Sequence, residues 1–100
     1  MKFGLKEETI LKIQDAIRKN PSIQSVTIFG SQAKGNFKPG SDIDLALYGN
    51  DLNLKDITKL MVALDELLLP YTFDICIYED IENPEFREHI DRVGQVFFKI

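Results

Sequence analysis

The chain has 100 residues, of which 44% are hydrophobic and 28% charged, and it carries a net charge of −4. This is a globular composition, not a disordered one, and the length suits one domain spanning residues 1–100. Sixteen acidic residues against twelve basic ones argue against gripping an extended nucleic-acid backbone.

No apolar run reaches the ~18 residues that a bilayer-spanning helix requires. Met1-Lys2-Phe3-Gly4 leads into an acidic amphipathic stretch instead of an apolar signal segment, and Cys76 is the single cysteine. A soluble, cytoplasmic protein without an intrachain disulfide and without a membrane partner is expected. A domain of this size buries roughly two thirds of its unfolded surface. Any bulky ligand therefore has to sit on an open face or between the chain and a partner, and homo-oligomerisation is left open.

Leu5, Ile10, Ile13, Ala16 and Ile17 recur at helical spacing from about residue 6 to 19, and Asn20-Pro21 stops that helix. Ser25 to Phe29 is β-branched and aromatic, reads as a strand, and runs directly into Gly30-Ser31. Residues 32 to 35 suit a helical turn, and 36 to 41 read as a loop. Asp42 to Tyr48 alternates, with Ile43, Leu45 and Leu47 on one side, as a half-buried strand does. Residues 56 to 69 carry a helical pattern closed by Pro70. Tyr71 to Tyr78 forms a third strand, with Phe73, Ile75 and Ile77 opposite Asp74 and Cys76. Asn83-Pro84 opens a last helix through Phe86, Ile90 and Val93, which Gly94 breaks.

The order is α-β-(turn)-β-α-β-α, an α/β (α+β) fold with a short mixed sheet of three strands and helices packed on one face. The helix over 56–69 is long enough to cross over to a third strand. Gln95 to Ile100 reads as a short extended tail. Its apolar Val96, Phe97, Phe98 and Ile100 either meet a partner or close the core, and core closure is the favoured reading.

Three features bear on chemistry. Gly30 lets the backbone approach a ligand, and Ser31 and Lys34 supply a hydroxyl and a charge beside it, although for the Gly-Ser pair taken alone a tight turn with a capping serine is the favoured reading. Asp42 and Asp44 lie on one side of a strand with Cα atoms ~6.5–7 Å apart, a spacing at which two carboxylates share one divalent cation or hold two. A solvated strand face is the plain alternative. Against it, aspartate is disfavoured in strands and like charges side by side repel. Asp74 repeats the anomaly in the next strand; three carboxylates converging there are self-repelling without a cation, and Mg²⁺ suits such oxygen donors.

Gly30-Ser31, ten residues, then Asp42-Ile43-Asp44, with Asp74 in a later strand, resembles the pattern of the minimal nucleotidyltransferases of the DNA polymerase β-like superfamily. Ile28 to Gly35 and Gly40 to Leu45 carry the likeness, and the element order extends it over nearly the whole chain. The resemblance implies a nucleotidyltransferase fold and a nucleoside triphosphate, with ATP the expected substrate. Gly30, Ser31, Lys34 and Ser41 would be the nucleotide-binding residues, Asp42 and Asp44 would ligate two Mg²⁺ ions, and Asp74 would ligate the catalytic ion and help activate the attacking hydroxyl. It implies an antitoxin that transfers AMP to a helical partner of the HEPN type. The alternative is a catalytically weak module that neutralises such a partner by contact alone. One departure stands out: many relatives carry arginine where this chain has Gln32, which puts triphosphate affinity in question.

The remaining polar residues read as ordinary surface. His89 is expected on the wet side of the last helix, Cys76 as a small buried thiol, and Arg87 and Arg92 as i±4 partners of Asp91 and Glu88.

Overall fold

The computed structural model describes residues 2–30 and 42–100. Its elements are α1 (Glu7–Arg18), β1 (Ile23–Phe29), β2 (Asp42–Gly49), α2 (Leu54–Asp65), β3 (Thr72–Ile77), a 3₁₀ turn (Tyr78–Asp80), α3 (Pro84–Val93) and β4 (Gln95–Lys99). The turn expected over 32 to 35 lies outside the described residues.

The four strands form one mixed sheet in the order β3-β2-β1-β4. β1 and β2 run antiparallel, as do β1 and β4, while β2 and β3 run parallel with α2 as the crossover between them. The alternation of β2 decides which side is dry. Ile43, Leu45 and Leu47 are fully buried, and with Val26 and Ile28 of β1 they meet Ile13 and Ile17 of α1 and Leu60 and Leu64 of α2. Burying such side chains contributes about 1.5–3 kcal/mol each, so this layer fixes the register and turns Asp42 and Asp44 to the opposite face.

α2 starts where its capping chemistry says it should. Asn53 accepts from the Lys55 amide at 2.9 Å, and Asp56 reaches back to the Asn53 amide at 2.8 Å. This reciprocal capping box satisfies amides that have no partner inside the helix. The helix ends at Asp65, four residues before the expected limit. Leu68 turns into the left-handed region (φ 54°) and is 89% exposed, so Leu67 and Leu69 can reach the core from a turn instead of a helix.

The structure departs from the sequence reading in two further ways. The tail is a fourth strand, and Phe97 and Phe98 are both buried although they are adjacent. The register shifts between Val26 and Thr27, which pair with Phe98 and Val96, so Phe97 is the extra residue of a bulge and both rings turn to the core. Core closure thus accounts for the two phenylalanines, while Val96 and Ile100 stay exposed.

The helices also do not all share one face. α1 and α2 cover the main core, whereas α3 lies across the other side, where Ile90 joins Phe29 and Ala46 in a second small core. The sheet is therefore dry on both sides over part of its area, and the aspartates sit where the second layer stops.

Candidate active site

β2 and β3 align so that Asp44 is the direct register partner of Asp74, and Asp42 that of Thr72. Neighbouring strands are ~4.8 Å apart, so the two partnered carboxylates leave the same face side by side. Asp42 sits two residues back on that face, where its carboxylate accepts a hydrogen bond from the Thr72 hydroxyl. Asp42 and Asp74 are exposed and Asp44 is half-buried. Partial burial, then the charges of Asp74 and Asp42, push the Asp44 carboxyl above its ordinary value.

Gly30 completes this corner. It ends β1 at φ +80°, and a Cβ placed on it would collide with Asp44 Oδ2 and lie 3.2 Å from Asp44 Cγ. The glycine thus has two physical reasons: the left-handed turn and the close approach of the carboxylate. Ser31, Gln32, Lys34 and Ser41 lie outside the described residues, so of the expected phosphate-binding group only Gly30 is placed.

A cleft of about 340 Å³ opens at this point. Asp44, Asp74 and Gly30 form one side, Phe29 and Cys76 the base, and Phe86 and His89 of α3 the other side. Among the described residues, larger hollows of about 400, 420 and 350 Å³ lie between α1 and α2, beside β4 and on α2. None of them contains Asp42, Asp44 or Asp74, so chemistry selects the site where size does not.

His89, expected on the wet side of the last helix, is half-buried and lines this cleft. Cys76 both lines the cleft and is half-buried. Its thiol donates to the Leu45 carbonyl at 3.7 Å, and burial, aided by Asp74 and Asp44, pushes it up to about 11. It stays a protonated thiol at neutral pH and is no nucleophile. Arg92 pairs with Glu88 at 3.1 Å as expected. Arg87, however, covers the Tyr78 ring at 4.6 Å, and Asp91 accepts from the Tyr78 hydroxyl at 2.7 Å.

The donor set is all oxygen on two adjacent strands, which suits Mg²⁺. Burial raises the Asp44 carboxyl most, and the charges of Asp74 and Asp42 add to it; a divalent cation would offset the latter part. Among the described residues, no group of three or more His, Cys, Asp or Glu side chains is drawn together tightly enough to hold a metal ion by itself. The aspartates therefore share a face without forming a closed cage, and phosphate oxygens and water are left to complete any coordination.

The family model for polymerase β-type nucleotidyltransferases matches residues 11–100. The chain belongs to that nucleotidyltransferase family. Solved structures agree with the assignment. A protein assigned as a minimal nucleotidyltransferase shares 27% identity at a TM-score of 0.69, with 95% of each chain covered. A toxin–antitoxin complex with AMP-PNP superposes at a TM-score of 0.76 and 24% identity, over 91% of this chain and 73% of the other. A tri-AMPylated HEPN toxin of Shewanella oneidensis in complex with an MNT antitoxin gives 0.71 and 19%, over 96% and 74%. At those last two identities the likeness is one of fold. A search of curated proteins gives no significant match. Among the described residues of this nucleotidyltransferase domain, no helix is long and apolar enough to cross a membrane.

Proposed function

We propose that the chain is a Mg²⁺-dependent nucleotidyltransferase that transfers AMP from ATP to a hydroxyl on a helical HEPN-type partner and acts as its antitoxin. The observation that carries this reading is the Asp44–Asp74 register pair with Gly30 held close against Asp44 in one cleft, in a chain whose family model spans residues 11–100. The neighbouring structures that hold AMP-PNP or an AMPylated HEPN toxin supply the substrate and the partner by analogy.

In this reading Gly30 and Ser31, with Lys34 and Ser41 beside them, receive the β- and γ-phosphates. Asp42 and Asp44 would hold two Mg²⁺ ions, and Asp74 would hold the catalytic one and help to draw the proton from the acceptor hydroxyl. Bound there, Mg²⁺ supplies charge neutralisation at the phosphates. The acceptor oxygen forms a bond to the α-phosphorus as the bond to the β-phosphate bridge breaks, and pyrophosphate leaves. The chain's own contribution is positioning, with two carboxylates fixed by strand register beside Gly30.

The test is to express the chain with its HEPN-type partner and weigh the partner by intact-mass spectrometry. The reading expects an added AMP with the wild type and none with Asp44→Asn. Neutralisation of the partner by Asp44→Asn without any adduct would establish the contact-only alternative.

A further inference from the structure

α3 brings to the cleft two side chains that the family pattern does not include. Phe86 and His89 are one turn apart on this helix and line the same cleft as Asp44, Asp74 and Gly30. Phe86 is 37% exposed. Its ring is held edge-on by Phe29, with centroids 5.8 Å apart and planes at 71°. That contact fixes the ring in place and leaves part of it open to the cleft.

The helix itself is firmly anchored. Asn83 caps its first turn through the Glu85 and Phe86 amides at 2.9 and 3.3 Å, Ile90 is buried, and Asp91 holds the Tyr78 hydroxyl. Tyr78 is in turn stacked on Tyr48 at 4.7 Å. The wall is therefore a rigid surface opposite the carboxylates.

We propose that this wall receives the nucleoside of the substrate, with Phe86 stacking on the base and His89 hydrogen-bonding to the sugar or the base edge. The proposal rests on the nucleotidyltransferase reading above. If the β- and γ-phosphates lie at Gly30 and the α-phosphate at Asp44 and Asp74, the next part of the molecule is the ribose, and the next surface of the same cleft is α3. An aromatic ring tolerates any base, since every base presents a π-face. Imidazole adds one donor and one acceptor in its neutral form. The pair thus suits a nucleoside better than a bare phosphate chain.

The experiment is calorimetric titration of Mg-ATP and, separately, of Mg-tripolyphosphate, which lacks the nucleoside, into wild type, Phe86→Ala, Phe86→Leu and His89→Gln. Phe86→Leu keeps the apolar bulk against Phe29 and so separates stacking from loosening of α3; far-ultraviolet circular dichroism checks the fold of each variant. The expected result is Mg-ATP binding weakened roughly five- to hundredfold by Phe86→Ala and nearly as much by Phe86→Leu. His89→Gln should show a smaller loss, and tripolyphosphate should bind all four proteins alike. Equal Mg-ATP affinity in wild type and the folded Phe86 variants would overturn the proposal while leaving the site intact; if AMP transfer alone then fell, the wall would belong to the acceptor. Wild type that binds neither ligand would sink the nucleotide reading and this proposal together.

Discussion

Gly30→Ala tests whether the geometry around Asp44 is understood. Two costs are separable. The backbone at φ +80° disfavours any residue with a Cβ, by about 1–2 kcal/mol. The added methyl also meets the Asp44 carboxylate, which is the free end of a short side chain and escapes by leaving its rotamer, at about 0.5–1.5 kcal/mol. The variant should therefore lose about 1.5–3.5 kcal/mol, or roughly 6–28 °C in Tm for a domain of this size.

Asp44→Ala separates the two costs, because the Asp44 Cβ lies at an ordinary 3.6 Å from the new methyl while the carboxylate is gone. Urea unfolding of wild type, both single variants and the double variant should show Gly30→Ala costing less in the Asp44→Ala background, by about 0.5–1.5 kcal/mol. Equal costs in both backgrounds would refute the close approach, and no cost in either would refute the left-handed turn.

Three further outcomes are expected. Asp44→Asn should stabilise the metal-free protein by a few tenths to about 1 kcal/mol, since it removes a like charge beside Asp74. The sign with pH agrees: a carboxyl raised in the folded state lowers stability as pH climbs from 3.8 through its folded value, so thermal melts of wild type should lose ground there and Asp44→Asn should not. Asn53→Ala should cost about 1 kcal/mol by urea unfolding through loss of the α2 cap, with Mg-ATP binding unchanged. Cys76, with its thiol pushed up to about 11, should alkylate far more slowly in the native protein than in urea at pH 8, as intact mass would show.

Much of this fold was legible because its central strands obey simple alternation. Ile43, Leu45 and Leu47 mark the dry side of β2, and that alone placed Asp42 and Asp44 on the other side, while Phe73 and Ile75 did the same for Asp74. The helix after β2 was long enough for a crossover, but periodicity left the strand order open, and the parallel pairing that sets Asp44 against Asp74 appears only in the assembled sheet. What escaped the sequence reading has identifiable physical causes. β4 hides its period because Phe97 occupies a bulge, so two adjacent rings face the core and no alternation remains. The end of α2 reads four residues too late because Leu67 and Leu69 are core residues set in a turn.

The face chosen by α3 was not legible at all. Its periodicity reports that one side is buried without saying against which surface, and Phe29 and Ala46 look like ordinary strand residues until the sheet is assembled. That His89 lines the cleft with two aspartates is visible only once the helix has a side.

The account turns on whether the aspartate face binds a nucleotide through a divalent cation. The most direct measurement is calorimetric titration of ATP with and without Mg²⁺ into wild type and Asp42→Asn/Asp44→Asn. The account predicts binding that requires Mg²⁺ and disappears in the double variant. Binding of equal strength without Mg²⁺, or in the variant lacking both carboxylates, would contradict it.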